Sequence, residues 1–325
     1  MRAIIMLCLL WTTILGSPIS WSASLRPNAV YVFGDSLSDT GNDLILTETQ
    51  GIFPAIPPSK SPHRTYYQGR FSNGPVAVEY LWQAIEGKNT ASVVPFLSPK
   101  GRVLDGAVSV AFGGSTSGYV SQTPRGFYVP GLLGQVEMFR IAAKFNKPKV
   151  TALYVIWTGA NDYILGTTNQ PSEVVANISQ AIKTLYSLGA RNFLIPNLPD
   201  LGLTPLAQAQ GLGMQLSLFT ENHNILLTQA LGELKSQLGG AKIHHVDIYA
   251  LTRNLVGTGT VLIDLPALEN IGIGTGAASC LFTNPYVCPD VDLTAAIPNY
   301  YFWDILHPTT FAHGHYGQAM FDILH

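Results

Sequence analysis

The chain has 325 residues and a formal net charge of −2, with 47% hydrophobic and 12% charged residues. Such a composition supplies a sizeable core and argues against disorder. The near-neutral charge, with no basic stripe, argues against nucleic acid as the main partner.

Residues 1–24 read as an export signal. Arg2 is the single charge, residues 3–15 are apolar apart from Thr12 and Thr13, and Ser22-Ala23-Ser24 offers small residues for cleavage. The apolar part is shorter than the roughly 20 residues that span a bilayer. The expectation is a mature, soluble single domain over residues 25–325, secreted or periplasmic. Cys8 leaves with the signal, so the mature chain keeps two cysteines, Cys280 and Cys288. An even pair in an oxidising compartment predicts a disulfide. Closing so short a loop constrains the unfolded chain by only about 2–3 kcal/mol, so the bridge is expected to shape a local loop.

Residues 29–33 form a short apolar run with β-branched and aromatic members, the pattern of a buried strand. It stops at Gly34-Asp35-Ser36, which leaves a hydroxyl at the strand's C-terminal end, where open α/β sheets hold ligands. Residues 44–73 read as a long Pro-, Gly- and Ser-rich loop of the kind that is usually functional. A helix is expected over 75–85 with Pro75 first. A second strand over 107–112 ends in Gly113-Gly114-Ser115, a helix spans 133–145, and a third strand over 150–157 ends in Thr158-Gly159-Ala160-Asn161-Asp162. The clearest helix carries Val174, Ile178, Ile182, Leu185 and Leu188 at helical spacing, with Ser172 as cap and Gly189 as stop. A strand at 192–196, helix over 205–238 broken near Gly211 and Gly213, a strand at 242–248, a loop over 257–299 and a helix after Pro308 complete the chain. Five apolar strands alternating with helices predict a parallel, doubly wound sheet covered on both faces.

Four strand ends or loops carry polar residues suited to acyl transfer. Serine is a poor nucleophile unless a neighbouring base takes its proton, and His307 is a candidate for Ser36. Asp304, three residues earlier, can hold the imidazole tautomer and stabilise the imidazolium. The amides of Ser36 and Gly114 and the side chain of Asn161 are candidate oxyanion donors. Each has a structural alternative: Asp304 capping a helix at Pro308, Asn161-Asp162 as a turn, Gly113-Gly114 as a tight strand exit. There is no Gly-x-Ser-x-Gly elbow and no phosphate-binding glycine loop. The glycines at 272–276 follow no strand and precede no helix, so they do not read as a dinucleotide site. His244-His245 and His313/His315 diverge on a strand and a helix, which argues against a shared metal; His313 is a candidate support for the site. With two cysteines and no histidine at ligand spacing, zinc is not expected.

The segment Gly34-Asp35-Ser36-Leu37-Ser38-Asp39-Thr40-Gly41-Asn42 resembles the first block of the GDSL, or SGNH, hydrolases. Ala111-Phe112-Gly113-Gly114, Gly159-Ala160-Asn161-Asp162 and Asp304-Ile305-Leu306-His307-Pro308-Thr309 follow in family order. Gly69-Arg70-Phe71-Ser72-Asn73-Gly74 and Asn197-Leu198-Pro199-Asp200-Leu201-Gly202 are similar to a branch of secreted bacterial lipases, lysophospholipases A and glycerophospholipid–cholesterol acyltransferases. The resemblance runs from about Ala29 to the end of the chain and is weakest between Gln208 and Asn299. It implies a flavodoxin-like α/β/α sandwich with a five-stranded parallel sheet, Ser36 as nucleophile, His307 as base, Asp304 as its partner, and Gly114 and Asn161 as oxyanion donors, with no cofactor. The implied substrate is a lipid acyl ester, through phospholipase A or lysophospholipase A activity, with acyl transfer to an alcohol or sterol as a second activity. Transient membrane-surface contact is compatible with this, and no protein partner is expected. A carbohydrate or aryl esterase, and an inactive lipid- or glycan-binding module, remain the alternatives. The apolar segments 51–56 and 126–130 are candidate walls of an acyl groove, and the 280–288 loop a candidate cover of the site.

Overall fold

A computed structural model describes residues 26–257, 280–282, 284–293 and 300–325. The proposed signal lies outside the described residues, as do 258–279 and 294–299 of the long C-terminal loop.

The centre is a parallel sheet of six strands in the order β2-β3-β1-β6-β7-β8. These are β1 (Val30–Gly34), β2 (Val94–Pro95), β3 (Ala107–Ser109), β6 (Leu153–Trp157), β7 (Asn192–Pro196) and β8 (Lys242–Val246). The five expected strands are all present. The sixth, β2, is a two-residue edge strand, too short to leave a periodic pattern. A separate antiparallel hairpin joins β4 (Val120–Gln122) to β5 (Tyr128–Pro130), so part of the 126–130 segment is strand rather than loop.

Alternation along each strand divides the core. Tyr31, Phe33, Tyr154, Ile156, Phe193 and Ile195 face a layer containing α3 (Leu132–Ala143), α5 (Pro171–Ser187) and α7 (Gly213–Gln237). Val30, Val32, Leu153, Val155, Trp157 and Leu194 face α2 (Ala77–Glu86), α8 (Ile248–Gly257) and α9 (Thr310–Asp322). A third cluster, with Ile56, Phe71, Phe112, Phe127 and Leu281, lies outside the two main layers.

Several expected boundaries shift. Residues 42–49 form helix α1 (Asn42–Thr49), which has no clear apolar stripe; Asp39 satisfies its start by accepting the N–H groups of Gly41, Asn42 and Asp43. In α2, Pro75 precedes the helix instead of opening it, and the Glu79 carboxylate accepts the Val76 N–H. Pro171, not Ser172, starts α5: it is the first helical residue, where its missing N–H costs nothing. Helix α8 fills the stretch between the strand expected at 242–248 and the loop expected from 257, to which the sequence reading assigns no element. The break between the helices of the 205–238 region falls at 210–212, between α6 (Pro205–Ala209) and α7, and α4 (Ala160–Ile164) follows β6 directly.

Candidate active site

Strand β1 delivers Ser36 to the C-terminal edge of the sheet. Its last residue, Gly34, packs so closely that an added Cβ would lie 2.3 Å from the Trp157 carbonyl oxygen. Gly34 also meets the buried amide of Gln135 on α3. Gln135 Oε1 accepts the Gly34 N–H at 2.9 Å, and Nε2 donates to the Gly34 carbonyl at 2.7 Å. This side chain does what a neighbouring peptide group would do in a ladder. The same Nε2 approaches Ser115 Oγ at 3.0 Å and the Pro130 carbonyl at 3.2 Å.

His307 comes from the loop before α9. Its Nε2 lies 2.9 Å from Ser36 Oγ and its Nδ1 2.7 Å from Asp304 Oδ2. All three side chains are buried. Asp304 does not cap the following helix; Thr309 does, with Oγ1 accepting the Ala312 N–H. Asp304 Oδ1 instead accepts the N–H groups of Leu306 at 2.7 Å and His307 at 2.6 Å, closing a turn that fixes the imidazole's backbone. The Tyr66 hydroxyl donates to Asp304 Oδ2 at 2.7 Å. Tyr66 is fully buried, and burial together with that carboxylate raises its pKa well above the usual phenol range. The rings of Phe71 and Phe282 flank His307, with centroids 5.1 and 5.8 Å away.

The block around residue 70 holds this loop in place. Ser72 Oγ donates to the Pro308 carbonyl at 3.0 Å, and Asn73 Oδ1 accepts the Thr310 N–H at 2.8 Å. Gly74 is required because an added Cβ would stand 2.6 Å from Thr310 Oγ1. A buried Arg70–Glu79 pair, 2.6 Å apart, ties the block to α2. His313 contributes from α9: its Nδ1 accepts the Ala77 N–H at 3.2 Å, and burial depresses its pKa to about 3, so the ring is neutral.

Gly114, Asn161, Ser36 and His307 line one cavity. The two glycines differ in what they do. Gly113 donates its N–H towards Asp39 Oδ2 at 3.4 Å, and a Cβ there would strike Phe71 at 2.3 Å. Gly114 has a φ of 76°, which favours glycine, and its amide is the one not directed at Asp39. Asn161 Nδ2 donates to the Ser115 carbonyl at 3.0 Å; an amide nitrogen carries two hydrogens, so one remains for a ligand. Asp162 accepts the Ser117 N–H at 2.9 Å and the Ser117 hydroxyl at 2.7 Å. The two loops that carry candidate oxyanion donors are therefore stitched together.

Burial leaves an unusual set of carboxyls around the nucleophile. It pushes Asp35 up to about 7, Asp39 to about 6 and Asp162 to about 6. Asp43, beside Asp39, lies well above the ordinary range. Each is a site where the protonated form is favoured by loss of water.

Two hollows flank the serine. The larger, about 220 Å³, is walled by apolar side chains including Ile56, Phe71, Phe127, Ile164, Leu281 and Phe282. Ile56 and Phe127 belong to the two segments expected to wall a groove, whereas Phe53 of the first points outward, 62% exposed. The smaller, about 30 Å³, lies among Leu37, Pro199, Thr204 and Phe302. Cys280 and Cys288 are bridged, with Cα atoms 5.2 Å apart. Their loop supplies Leu281 and Phe282 to the larger hollow.

His244 and His245 sit on β8, away from this cluster, and His315 packs on Phe311. Among the described residues no three His, Cys, Asp or Glu side chains are grouped to hold a metal. Tyr66, Gln135 and Phe282 were not singled out from the sequence. An isolated Tyr, Gln or Phe carries no spacing signal, and their partners lie 238, 101 and 25 residues away.

The model of the GDSL-like lipase/acylhydrolase family matches residues 30–320. A GDSL esterase/lipase of Arabidopsis thaliana is 27% identical over 317 residues, covering 88% of this chain and 86% of that protein. The phosphatidylcholine-sterol acyltransferase of Aeromonas hydrophila is 32% identical over 231 residues, covering 70% of this chain and 61% of that protein. Among solved structures, a lipolytic G-D-S-L protein of Veillonella parvula aligns over 91% of this chain and 94% of its own, with a TM-score of 0.44 and 13% identity.

Proposed function

Because the chain belongs to the GDSL-like lipase/acylhydrolase family, we propose that it is an exported serine hydrolase of lipid acyl esters, acting as a phospholipase A or lysophospholipase A. The observation that carries this reading is the 220 Å³ apolar hollow opening on Ser36. It exceeds the ~150 Å³ apolar cavity that takes up a benzene ring, far more than an acetyl group requires. The Cys280–Cys288 bridge supports the export reading, since disulfides persist in oxidising compartments.

In the proposed reaction the acyl chain lies in the larger hollow and its carbonyl carbon faces Ser36 Oγ. The Oγ–C bond forms as the hydroxyl proton passes to His307 Nε2, 2.9 Å away. Asp304 holds the ring with Nδ1 protonated and offsets the imidazolium charge. The new oxyanion receives the Ser36 and Gly114 amides and the free hydrogen of Asn161 Nδ2. The intermediate collapses, the C–O bond to the alcohol breaks, and His307 returns the proton to that leaving oxygen. Water then attacks the acyl-serine carbonyl as His307 takes its proton; the C–Oγ bond breaks, the fatty acid leaves, and His307 returns the proton to Ser36 Oγ. An alcohol or sterol entering in place of water gives acyl transfer by the same steps.

A fluorophosphonate probe tests the chemistry: it should label the wild-type protein and not Ser36→Ala. A folded wild-type chain that resists labelling would point to a binding module. Fatty-acid release from lysophosphatidylcholine, set against deacetylation of acetylated sugars, tests the substrate. Activity on the sugars alone would overturn the lipid assignment.

A further inference from the structure

Three segments meet at the rim of the larger hollow. The 51–63 loop supplies Ile56 to its wall, the β4–β5 hairpin tip supplies Pro124, Arg125 and Phe127, and the disulfide loop supplies Leu281 and Phe282. Polar contacts hold the first and last segments side by side. His63 Nδ1 lies 3.0 Å from the Cys288 carbonyl, Thr65 Oγ1 donates to the Pro289 carbonyl at 2.6 Å, and the Val291 N–H donates to the Arg64 carbonyl at 2.9 Å.

The outer surface of the rim is apolar. Phe53 is 62% exposed, Tyr286 and Val287 are each 59% exposed, and the rings of Phe53 and Tyr286 are 6.1 Å apart. A single exposed apolar residue needs no explanation, but three sit together here on segments whose inner sides wall the hollow. Cations border them. Arg125 lies within electrostatic reach of Tyr286. Lys60 and Arg64 extend outward, 69% and 50% exposed, while also touching Glu48 and Asp290. Phe and Tyr rings with Arg and Lys beside them suit a membrane–water interface, with apolar parts among acyl chains and charges at the phosphates.

We propose that this rim docks the protein on a lipid surface bearing anionic headgroups, with Phe53, Tyr286 and Val287 entering the interface. The inference rests on the lipid-hydrolase reading and specifies where its substrate arrives. Continuity between the exposed patch and the hollow favours a lipid surface over a protein partner, because an acyl chain leaving the interface then enters the cavity without crossing water.

The test uses flotation with vesicles of phosphatidylcholine, alone or mixed with phosphatidylglycerol, and the triple variant Phe53→Ser, Tyr286→Ser, Val287→Ser. Wild-type protein should float with vesicles, more strongly with the anionic ones. The triple variant should bind at least about tenfold more weakly, the loss expected on withdrawing even one apolar side chain from a nonpolar phase. Its hydrolysis of vesicle-borne lysophospholipid should fall in step, while turnover of water-soluble p-nitrophenyl butyrate stays at the wild-type rate. Arg125→Glu should reduce flotation with the anionic vesicles more than with phosphatidylcholine alone. Wild-type protein that turns over the soluble ester but ignores vesicles would overturn the docking surface alone. So would a triple variant that floats as well as wild type, or sedimentation showing the patch buried between two copies. Failure on the soluble ester would instead strike the hydrolase reading.

Discussion

Replacing Gln135 by Leu is expected to damage both stability and turnover, although the residue lies on a helix and does not touch Ser36. Gln135 is wholly buried, and its amide satisfies both peptide groups of Gly34. Leu fills similar space but leaves the Gly34 N–H without a partner. The Gly34 carbonyl keeps only the long 3.4 Å contact from the Phe112 N–H. A buried polar group left unsatisfied costs about 1–3 kcal/mol. One orphaned donor and one weakened acceptor thus amount to about 2–4 kcal/mol, a large share of the ~5–15 kcal/mol by which domains are stable. The lost contact to Ser115 Oγ also loosens the loop carrying Gly114. Displacing a reacting group by about 1 Å can cost on the order of 100-fold, so kcat should fall ~10–100-fold with KM little altered. Urea unfolding followed by tryptophan fluorescence gives the first quantity, and ester turnover in folded protein the second. A Leu variant that lost under ~1 kcal/mol and kept its kcat would refute the idea that this amide sets the position of the nucleophile.

Asn161→Ala should lower kcat by about 10²–10³ if its free amide hydrogen serves the oxyanion; unchanged steady-state turnover would remove it from that role. Tyr66→Phe deletes one donor to the Asp304 carboxylate, a bond to a charged group worth about 1.5–3 kcal/mol. Stability should drop by that order in chemical denaturation, and an unchanged midpoint would count against it. Asp162 keeps its proton to about 6 in the fold, whereas an unfolded Asp loses it near ~3.9. Between these values the native state binds more protons, so this group's contribution to stability falls as pH rises through the window. His223 and His313, held neutral down to about 3, tilt the wild-type curve the opposite way. The comparison must therefore be between proteins: Asp162→Asn should gain relative to wild type from pH 4.5 to 7.5, and parallel urea midpoints would contradict it. Finally, Phe282 lies against His307 and helps wall the hollow. Limited proteolysis within 284–287 should raise turnover of bulky esters more than small ones, and equal rates before and after would dismiss the loop as a cover.

Legibility of the fold and the site in the sequence followed from how each feature is encoded. The long strands are near-continuous apolar runs because both faces are covered, and runs of that kind stand out in a single chain. Ser36, Gly114, Asn161 and His307 lie in short blocks at strand ends or loops, so their order along the chain carried information. Helix α1 did not stand out, because its start is secured by Asp39 from outside the helix and not by a periodic stripe. Edge strand β2 is stabilised by pairing with β3 and has almost no sequence of its own. Gln135, Tyr66 and Phe282 act through partners distant along the chain, and such contacts are visible only once the chain has folded.

The hydroxyl and the imidazole that meet at 2.9 Å are separated by 271 positions along the chain. The serine is made early and the histidine late, and the helix that follows the histidine is moored by Asn73 and the Ala77 N–H. A growing or truncated polypeptide thus carries an unassisted alcohol, however well its earlier strands have assembled. Hydroxyl and imidazole can meet only after every strand of the central sheet has been synthesised.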